Sequence, residues 1–253
     1  MLTLEEYEKL LPSCHVSHNG VEVDYLTPTS ILKWRVDTLF TKEPCTIDWI
    51  AQFQQDETLV DVGANVGMYT VWAAKTRGVR VYAFEPEAQN YALLNRNIAL
   101  NGLGDRVTAF CLGLSDRSGY SELHLSGLVA GASNHSVGER VNFRLEPMQP
   151  AFSQGCVTAT LDSLVAAGAL PQPTHLKVDV DGLEYKVAAG AARTLRDERL
   201  RSVLIELNPS LEQHRALVTE LESLGFRWSR EQVAAATRAD GPFKGMAEYV
   251  FNR

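Results

Sequence analysis

The stretch Leu59–Gly78, LVDVGANVGMYTVWAAKTRG, decides the fold of this chain. An apolar run reaches Asp61, Gly63 and Gly67 frame the segment GANVG, and a run with helical spacing follows. A buried strand that passes through a glycine-rich turn into a helix presents free backbone N–H groups to a ligand. The stretch therefore predicts the first strand-turn-helix unit of a ligand-binding α/β domain.

The glycine spacing in this loop argues against a phosphate ligand. Gly63 and Gly67 give G-x-x-x-G, which matches neither the dinucleotide pattern G-x-G-x-x-G nor the P-loop pattern G-x-x-x-x-G-K-[ST]. The middle glycine, which admits a pyrophosphate in dinucleotide folds, is replaced by Asn65. A plain tight turn before a helix is the alternative interpretation. The loop can still bring the chain close to a ligand and present helix N–H groups to a carboxylate, with Asn65 as a polar group directed towards that ligand.

Two further acids follow the next strands of the predicted sheet. Glu85 ends the stretch VYAFEP, where a carboxylate can accept both hydroxyls of a ribose. Asp116, in LGLSD, is a candidate partner for an adenine amino group, and its alternative role is to start a turn. Ribose, adenine and a carboxylate without phosphates together describe S-adenosylmethionine. The predicted cofactor-binding residues are Asp61, Gly63, Asn65, Gly67, Glu85 and Asp116.

Strand and helix patterns alternate from residue 58 onwards. Apolar strands that alternate with helices predict a mostly parallel sheet covered on both faces. The last two predicted strands, 226–230 and 247–251, are expected to form an antiparallel hairpin at the sheet edge. We predict a lead-in of helix and short strands over 1–57, packed on a core domain that spans 58–253.

A long irregular insert interrupts this pattern at residues 126–155. Its sequence shows no clear helical or strand period. Long irregular segments in compact α/β domains are often lids or binding loops. We expect the insert and the lead-in to select the substrate.

Charge and cysteine content narrow the class of protein. The 253 residues carry a formal net charge of −7 without a basic block, which disfavours nucleic-acid binding. Cys14, Cys45, Cys111 and Cys156 form no CxxC pair, which argues against a zinc site and favours a reducing compartment. No signal peptide and no membrane span are expected, so the predicted location is the cytoplasm.

The fourth core strand ends in an unusual run of charges, HLKVDVDGLEYKV. Alternate residues of a strand share one face, so Lys177, Asp179 and Asp181 are expected to project together. Asp179 lies at the carboxyl end of the strand, where it can orient a hydroxyl or take its proton. Lys177 is predicted to be either a structural ion-pair partner of Asp179 or a member of the catalytic group.

A metal ion and a histidine base are two further hypotheses for this end of the sheet. Asp179, Asp181 and Glu206 offer oxygen ligands suited to Mg²⁺, which would polarise a hydroxyl. His135, in the insert, has an intrinsic pKa suited to proton transfer near neutrality, and a solvated loop histidine is the alternative. The candidate catalytic residues are Asp179, Lys177 and His135.

Taken in order, the motifs VDVGANVGMYT, AFEP, LGLSD, TLDSL and LKVDVDGLEYKVAAGA resemble the FkbM family of S-adenosylmethionine-dependent methyltransferases. The resemblance extends over about 57–209. It implies a class I methyltransferase (Rossmann-like) fold with seven strands in the order 3-2-1-4-5-7-6. It also implies methylation of a hydroxyl group, often on a sugar or a polyketide. One departure is DVDG, where many members have DVEG, so the shorter carboxylate of Asp181 changes its reach.

Other functions compete with an O-methyltransferase for a small or saccharide-like acceptor. A nucleic-acid or other N-methyltransferase usually carries an Asn/Asp-Pro-Pro-aromatic signature after strand four, where this chain has DVDG. A nicotinamide-dependent oxidoreductase would need the missing central glycine. A non-catalytic cofactor-binding module would have little use for charges at Lys177, Asp179 and Glu206. No membrane partner is expected, and the sequence leaves the acceptor and the oligomeric state open.

Overall fold

The described part of the lead-in comprises a two-stranded hairpin and three helices. The computed structural model describes residues 2–8 and 10–253 of the chain. In the lead-in its elements are α1 (Leu4–Glu8), β1 (Ser13–His18), β2 (Val21–Leu26), α2 (Ser30–Asp37) and α3 (Pro44–Ile50). Asn19 and Gly20 take φ values of 51° and 78° in the turn of the hairpin. The Asn-Gly pair therefore forms the turn that its sequence predicts.

The rest of the chain begins with the predicted alternation of strand and helix, but five strands follow one another over residues 107–159, and the strands at 119–125 and 152–159 were not predicted. In chain order its elements are β3 (Thr58–Val62), α4 (Met68–Arg77), β4 (Arg80–Phe84), α5 (Ala88–Leu100), β5 (Val107–Phe110), β6 (Gly113–Leu114), β7 (Gly119–Leu125), β8 (Ser136–Val137), β9 (Phe152–Ala159), α6 (Leu161–Ala166), β10 (His175–Val178), α7 (Glu184–Ala189), α8 (Ala192–Arg196), β11 (Ser202–Leu207), α9 (Glu212–Ser223), α10 (Arg230–Ala236) and β12 (Ala247–Asn252). Among these residues no helix is both long enough and apolar enough to cross a lipid bilayer.

Six strands form the main sheet, in the order β12-β11-β10-β3-β4-β5. Five of them are parallel, and β12 pairs antiparallel with β11. The parallel strands occupy the predicted order 3-2-1-4-5. Every residue of β3, β10 and β11 is buried, as expected for central strands covered on both faces.

The predicted seventh strand is absent from the described sheet. Residues 226–230 were expected to be a strand, but only Arg227 pairs with β12, through two 2.8 Å hydrogen bonds with Asn252. The chain instead enters α10, because Ser229 caps the helix by accepting a hydrogen bond from the backbone N–H of Gln232. The edge of the sheet is therefore the single antiparallel strand β12.

The lead-in packs on one face of the main sheet. Its apolar side chains share a buried cluster with α4 and α5, whereas α6 to α9 cover the opposite face. Asn97 of α5 and Asn101, the residue at the C-cap of α5, bond the backbone of β2: Asn97 Oδ1 accepts from Leu26 N (2.9 Å), and Asn101 Oδ1 accepts from Asp24 N (2.9 Å). These buried bonds fix the lead-in against the core.

The insert borders a second, smaller sheet in the order β6-β9-β7-β8. Strands β7 and β9 pair antiparallel over seven positions, and β8 adds two residues at the edge. The insert of residues 126–155 thus contains β8 and the start of β9. The remainder crosses the carboxyl end of the main sheet as an irregular segment.

Candidate active site

A cavity of about 310 Å³ opens at the carboxyl ends of the parallel strands. A second cavity of about 50 Å³ lies beside it and shares several lining residues with it. Residues common to both are Arg35, Lys42, Gly63, Asn65 and Asp179. Ligands of open α/β sheets bind at this position, so the two cavities mark the candidate active site.

Gly63 allows the loop after β3 to touch the loop after β10. A Cβ atom at this position would lie 1.9 Å from the carbonyl oxygen of Asp179, and the residue has a φ of 78°. Gly67 also has a positive φ, and a Cβ there would lie 2.5 Å from a side-chain carbon of Leu94. Both glycines therefore have a packing reason that holds without any ligand.

Asp61 carries an unpaired oxygen in the smaller cavity. The residue is 1% exposed, and its Oδ2 accepts a 2.5 Å hydrogen bond from the hydroxyl of Thr70. Its Oδ1 is buried and has no partner. Burial raises the pKa of Asp61, although the nearby Lys177 opposes the shift. An orphaned buried acceptor is costly, and a donor from a bound ligand would satisfy it.

Glu85 lies on the wall of the larger cavity and is 5% exposed. Its Oε2 accepts from Asn65 N (2.8 Å) and its Oε1 from Glu87 N (2.9 Å). Burial raises its pKa to about 7. Each carboxylate oxygen can accept a second hydrogen bond, so Glu85 retains capacity for ligand hydroxyls.

The structure does not bring Asp116 into this cavity. Asp116 is exposed and borders a separate small pocket, where its Oδ1 accepts from the hydroxyl of Ser115 (3.2 Å). The larger cavity is instead lined near Glu85 by apolar side chains, Phe84, Leu112 and Leu114. An apolar slot of this kind suits a planar base, and its residues carried no signal in the sequence.

The first part of the insert is bonded across the cavity mouth. We name residues 130–135 the clamp segment. Asn65 Nδ2 donates to Ala132 O (2.8 Å), and Asn90 Oδ1 accepts from Gly131 N (2.8 Å). Asn65 Oδ1 accepts from the N–H of its own neighbour, Val66. The side chain of Asn65 therefore holds the clamp segment, in contrast to its predicted direction towards a ligand.

Asp181 fastens the other end of the clamp segment. Its Oδ2 accepts from Asn134 N (2.7 Å), and the residue has a φ of 56°. Burial and the adjacent charge of Asp179 raise its pKa to about 7. Asp181 thus acts as an anchor between the loop after β10 and the insert.

His135 lies in the clamp segment and lines the larger cavity. Burial lowers its pKa, so the neutral imidazole is favoured. Its Nδ1 accepts a hydrogen bond from the backbone N–H of Ser126 (3.3 Å). In a neutral ring the proton then lies on Nε2, and this tautomer offers the cavity a donor rather than a base.

Lys177 and Asp179 form the ion pair that the strand pattern allows. Lys177 Nζ lies 3.0 Å from Asp179 Oδ2, and the side chains are 3% and 29% exposed. Burial would lower the pKa of Lys177, but Asp179, Asp61 and Glu43 outweigh it and raise that pKa. Burial would raise the pKa of Asp179, but Lys177 and Lys42 outweigh it and lower that pKa. Asp179 is therefore an ionised acceptor at the junction of both cavities.

Around Glu206, which the sequence had singled out, lie further charges that sequence reasoning missed: Arg238, Glu248, Glu43 and Lys42. Arg238 Nη2 lies 2.6 Å from Glu206 Oε1, 2.7 Å from Glu248 Oε1 and 3.5 Å from Glu43 Oε1. Glu43 also pairs with its neighbour Lys42. These residues come from the lead-in, β11, β12 and the loop before β12. No local sequence pattern links positions so far apart.

The described residues contain no group of three or more His, Cys, Asp or Glu side chains arranged to hold a metal ion. The three carboxylates considered for Mg²⁺ each have another partner. Asp179 pairs with Lys177, and Glu206 pairs with Arg238. The third, Asp181, binds the backbone of the insert. The Mg²⁺ hypothesis finds no support in this geometry.

A glycine loop, two buried acids and two adjoining cavities at the carboxyl edge define an α/β protein with a nucleoside-type site. The model of the methyltransferase FkbM domain matches residues 61–228. The chain belongs to this family, as its motifs predicted. It is an S-adenosylmethionine-dependent methyltransferase, and the orphaned Oδ1 of Asp61 fits the ammonium group of that cofactor.

Three curated relatives carry methyltransferase names. The hexuronic acid methyltransferase AglP of Haloferax volcanii is 25% identical over 71% of this chain and 67% of its own length. The methyltransferase sdnD of Sordaria araneosa is 29% identical over 72% of this chain and 78% of its own length. Methyltransferase 1 of Beauveria bassiana is 28% identical over 70% of this chain and 75% of its own length.

Solved structures show only loose similarity. A precorrin-6y C5,15-methyltransferase from Geobacter metallireducens gives a TM-score of 0.47 at 12% identity, covering 90% of this chain and 93% of that chain. An rRNA methylase from Streptococcus thermophilus gives a TM-score of 0.48 at 10% identity, covering 83% and 94%. With TM-scores below 0.5, these similarities carry no conclusion about this chain.

Proposed function

We propose that the chain transfers a methyl group from S-adenosylmethionine to a hydroxyl of a saccharide-like acceptor. One observation carries the proposal: a single cavity joins an apolar slot beside Glu85 to a polar region bordered by aromatic rings. Trp34 is 48% exposed on that border, and Phe243 lies on it too. The hexuronic acid methyltransferase named above is a relative that acts on a sugar acid, which supports this acceptor class.

The polar region suits an acceptor with many hydroxyl groups. Aromatic rings such as Trp34 and Phe243 can pack against the apolar face of a sugar ring. Lys42 and Glu206 also line the larger cavity and offer donors and acceptors for hydroxyls. Ligand sites generally combine apolar walls with a few polar groups that fix orientation.

We assign the cofactor to the other residues of the two cavities. Asp61 would accept from the ammonium group, and Glu85 from the ribose hydroxyls. Phe84 and Leu114 would enclose the adenine. Asp116, which lies outside the cavity, is not part of this assignment.

In this proposal the chain orients the acceptor hydroxyl and excludes water from the reacting atoms. The cofactor provides a methyl group activated by its sulfonium. Asp179 would accept a hydrogen bond from the acceptor hydroxyl, while Lys177 holds the carboxylate in place. His135 would donate through Nε2, and the clamp segment would keep water from the reacting atoms. Orientation of this kind lowers the barrier of an in-line displacement.

The test is the substitution Asp179→Asn, with Asp105→Asn on the surface as the matched control. Formation of S-adenosylhomocysteine is measured against neutral sugars, uronic acids, hydroxylated polyketides and RNA oligonucleotides. We expect turnover only with the hydroxylated small molecules. At saturating S-adenosylmethionine, Asp179→Asn should lower turnover by about 100-fold or more, and the variant should still bind the cofactor. Undiminished turnover in Asp179→Asn would refute the role of Asp179, and methylation of RNA alone would refute the acceptor class.

A further inference from the structure

Carboxylates outnumber cations beneath the two cavities. The acidic residues are Glu43, Asp61, Asp179, Glu206 and Glu248, and the basic residues beside them are Lys42, Lys177 and Arg238. We name these eight residues the acid-rich cluster. With Arg35, which lines both cavities, the five carboxylates still outnumber the four cations. Four of its five acids are at most 7% exposed.

The acid-rich cluster is built from six parts of the fold: the lead-in, β3, the end of β10, β11, β12 and the loop before β12, which carries Arg238. Asp61 on β3 lies beside Lys177 on β10, and Glu206 on β11 lies opposite Glu248 on β12. The lead-in places Glu43 over them. Asp61, Glu43, Lys177 and Asp179 border the smaller cavity, and Glu206 borders the larger one. The cluster therefore adjoins both parts of the site.

This arrangement is unfavourable in the free protein. Like charges directly opposite each other on paired strands destabilise a sheet, and Glu206 faces Glu248 in this way. Three carboxylates share one guanidinium nitrogen of Arg238. Burial, together with neighbouring carboxylates, raises the pKa of Glu248 to about 7 and that of Glu206 well above its usual range. Buried charges are ordinarily paired, so the cluster lacks positive charge.

The cofactor and its product differ in the charge that they bring. S-adenosylmethionine carries a sulfonium and an ammonium against one carboxylate, whereas S-adenosylhomocysteine has a neutral thioether in place of the sulfonium. We propose that the acid-rich cluster is the counter-charge of the sulfonium, so that the site selects cofactor over product by charge. The proposal rests on the cofactor and is independent of the acceptor.

Methyl transfer would then remove the charge that the cluster compensates. The hydroxyl oxygen bonds to the methyl carbon, the carbon–sulfur bond breaks, and its electron pair stays on sulfur. The hydroxyl proton leaves to a carboxylate or to water. Without the sulfonium, the cluster either has unbalanced negative charge again or is neutralised by the hydroxyl proton. In both cases it does not attract the neutral thioether of the product. Charge selection of this kind favours release of the product.

The test uses Glu248→Gln, because Glu248 lines neither cavity, with the exposed Glu220→Gln on α9 as the matched control. Titration calorimetry at pH 8 measures three probes: S-adenosylmethionine, S-adenosylhomocysteine, and sinefungin, which carries an ammonium group in place of the methylsulfonium. We expect Glu248→Gln to weaken both cationic probes relative to S-adenosylhomocysteine by roughly fivefold. Glu220→Gln should leave the ratios unchanged.

Glu43→Gln is the second variant, and melting temperatures report whether each variant folds. We expect Glu43→Gln also to reduce the preference for S-adenosylmethionine and sinefungin over S-adenosylhomocysteine. Equal changes for all three probes in folded variants would overturn the proposal. Weakening of S-adenosylmethionine alone would also overturn it, because the cluster would then sense the methyl group rather than the charge. No binding of S-adenosylmethionine by the unaltered protein would refute the cofactor itself, which is a separate failure.

Discussion

Single residues determine how close the loops of the site approach each other. Gly63 is the clearest case, because a Cβ there would overlap the carbonyl of Asp179 at 1.9 Å. The same contact places the Asp179 side chain between the two cavities. The glycine spacing argued against a phosphate loop. In the structure, Gly63 is required by the contact between the loops that follow β3 and β10.

We expect Gly63→Ala to destabilise the protein by about 3 kcal/mol, since it adds a backbone clash to a strained φ. Gly102→Ala is the control. Gly102 has a φ of 67°, but a Cβ there meets nothing within 4 Å, so it should cost about 1 kcal/mol. Urea denaturation measures both free energies of unfolding. Equal losses of unfolding free energy in the two variants would show that the contact with Asp179 does not constrain Gly63.

Residue patterns predicted part of the site. Asp61 and Glu85 were identified as acids at strand ends, and both border the cavities. Asp116 fitted the same pattern but lies outside, because the chain turns to the surface after Ser115. The partners of Arg238 were not predictable, since pairing between distant positions leaves no local signature.

At the scale of elements, α5 links the lead-in, the core and the insert through buried asparagines. Asn97 and Asn101 bond β2, while Asn90 bonds the clamp segment. Polar residues in a helix predict an exposed face, so this function was not visible in the sequence.

The predicted seventh strand was wrong for a comparable reason. Residues 226–230 were interpreted as a strand, although Ser229 with Gln232 three residues later is a readable helix start.

We expect Asn90→Ala to free the clamp segment. Gly131 N would lose its acceptor and Ala132 O one of its donors, so hydrogen exchange at residues 130–135 should accelerate by about tenfold or more, in line with the loss of two hydrogen bonds. Exchange in β3 and β11 should stay unchanged. The control is Asn95→Ala on the exposed side of α5, where the side chain bonds only Tyr91 O of its own helix. Unchanged exchange in Asn90→Ala would show that other contacts hold the insert.

At the scale of the whole molecule, the lead-in completes the site. Parallel strands followed from the alternation of apolar runs with helices, and their order was implied by the family resemblance, but the sequence did not show what covers the charged strand ends. The structure places Glu43 and Lys42 of the lead-in against Asp179 and Arg238. Because the lead-in covers the charged strand ends, their carboxylates are buried. We expect the positive charge of the bound cofactor to balance the negative charge of these carboxylates.

The central claim is that these cavities bind S-adenosylmethionine, and Asp61→Asn tests it most directly. The substitution keeps the shape of the side chain, but it replaces a charged acceptor whose Oδ1 has no partner in the protein. Calorimetric titration should show one S-adenosylmethionine per unaltered chain, and affinity at least about tenfold weaker in Asp61→Asn. The melting temperature of the free variant should not fall, because burial already disfavours the charge. Equal affinity in both proteins, or no binding by the unaltered chain, would contradict the account.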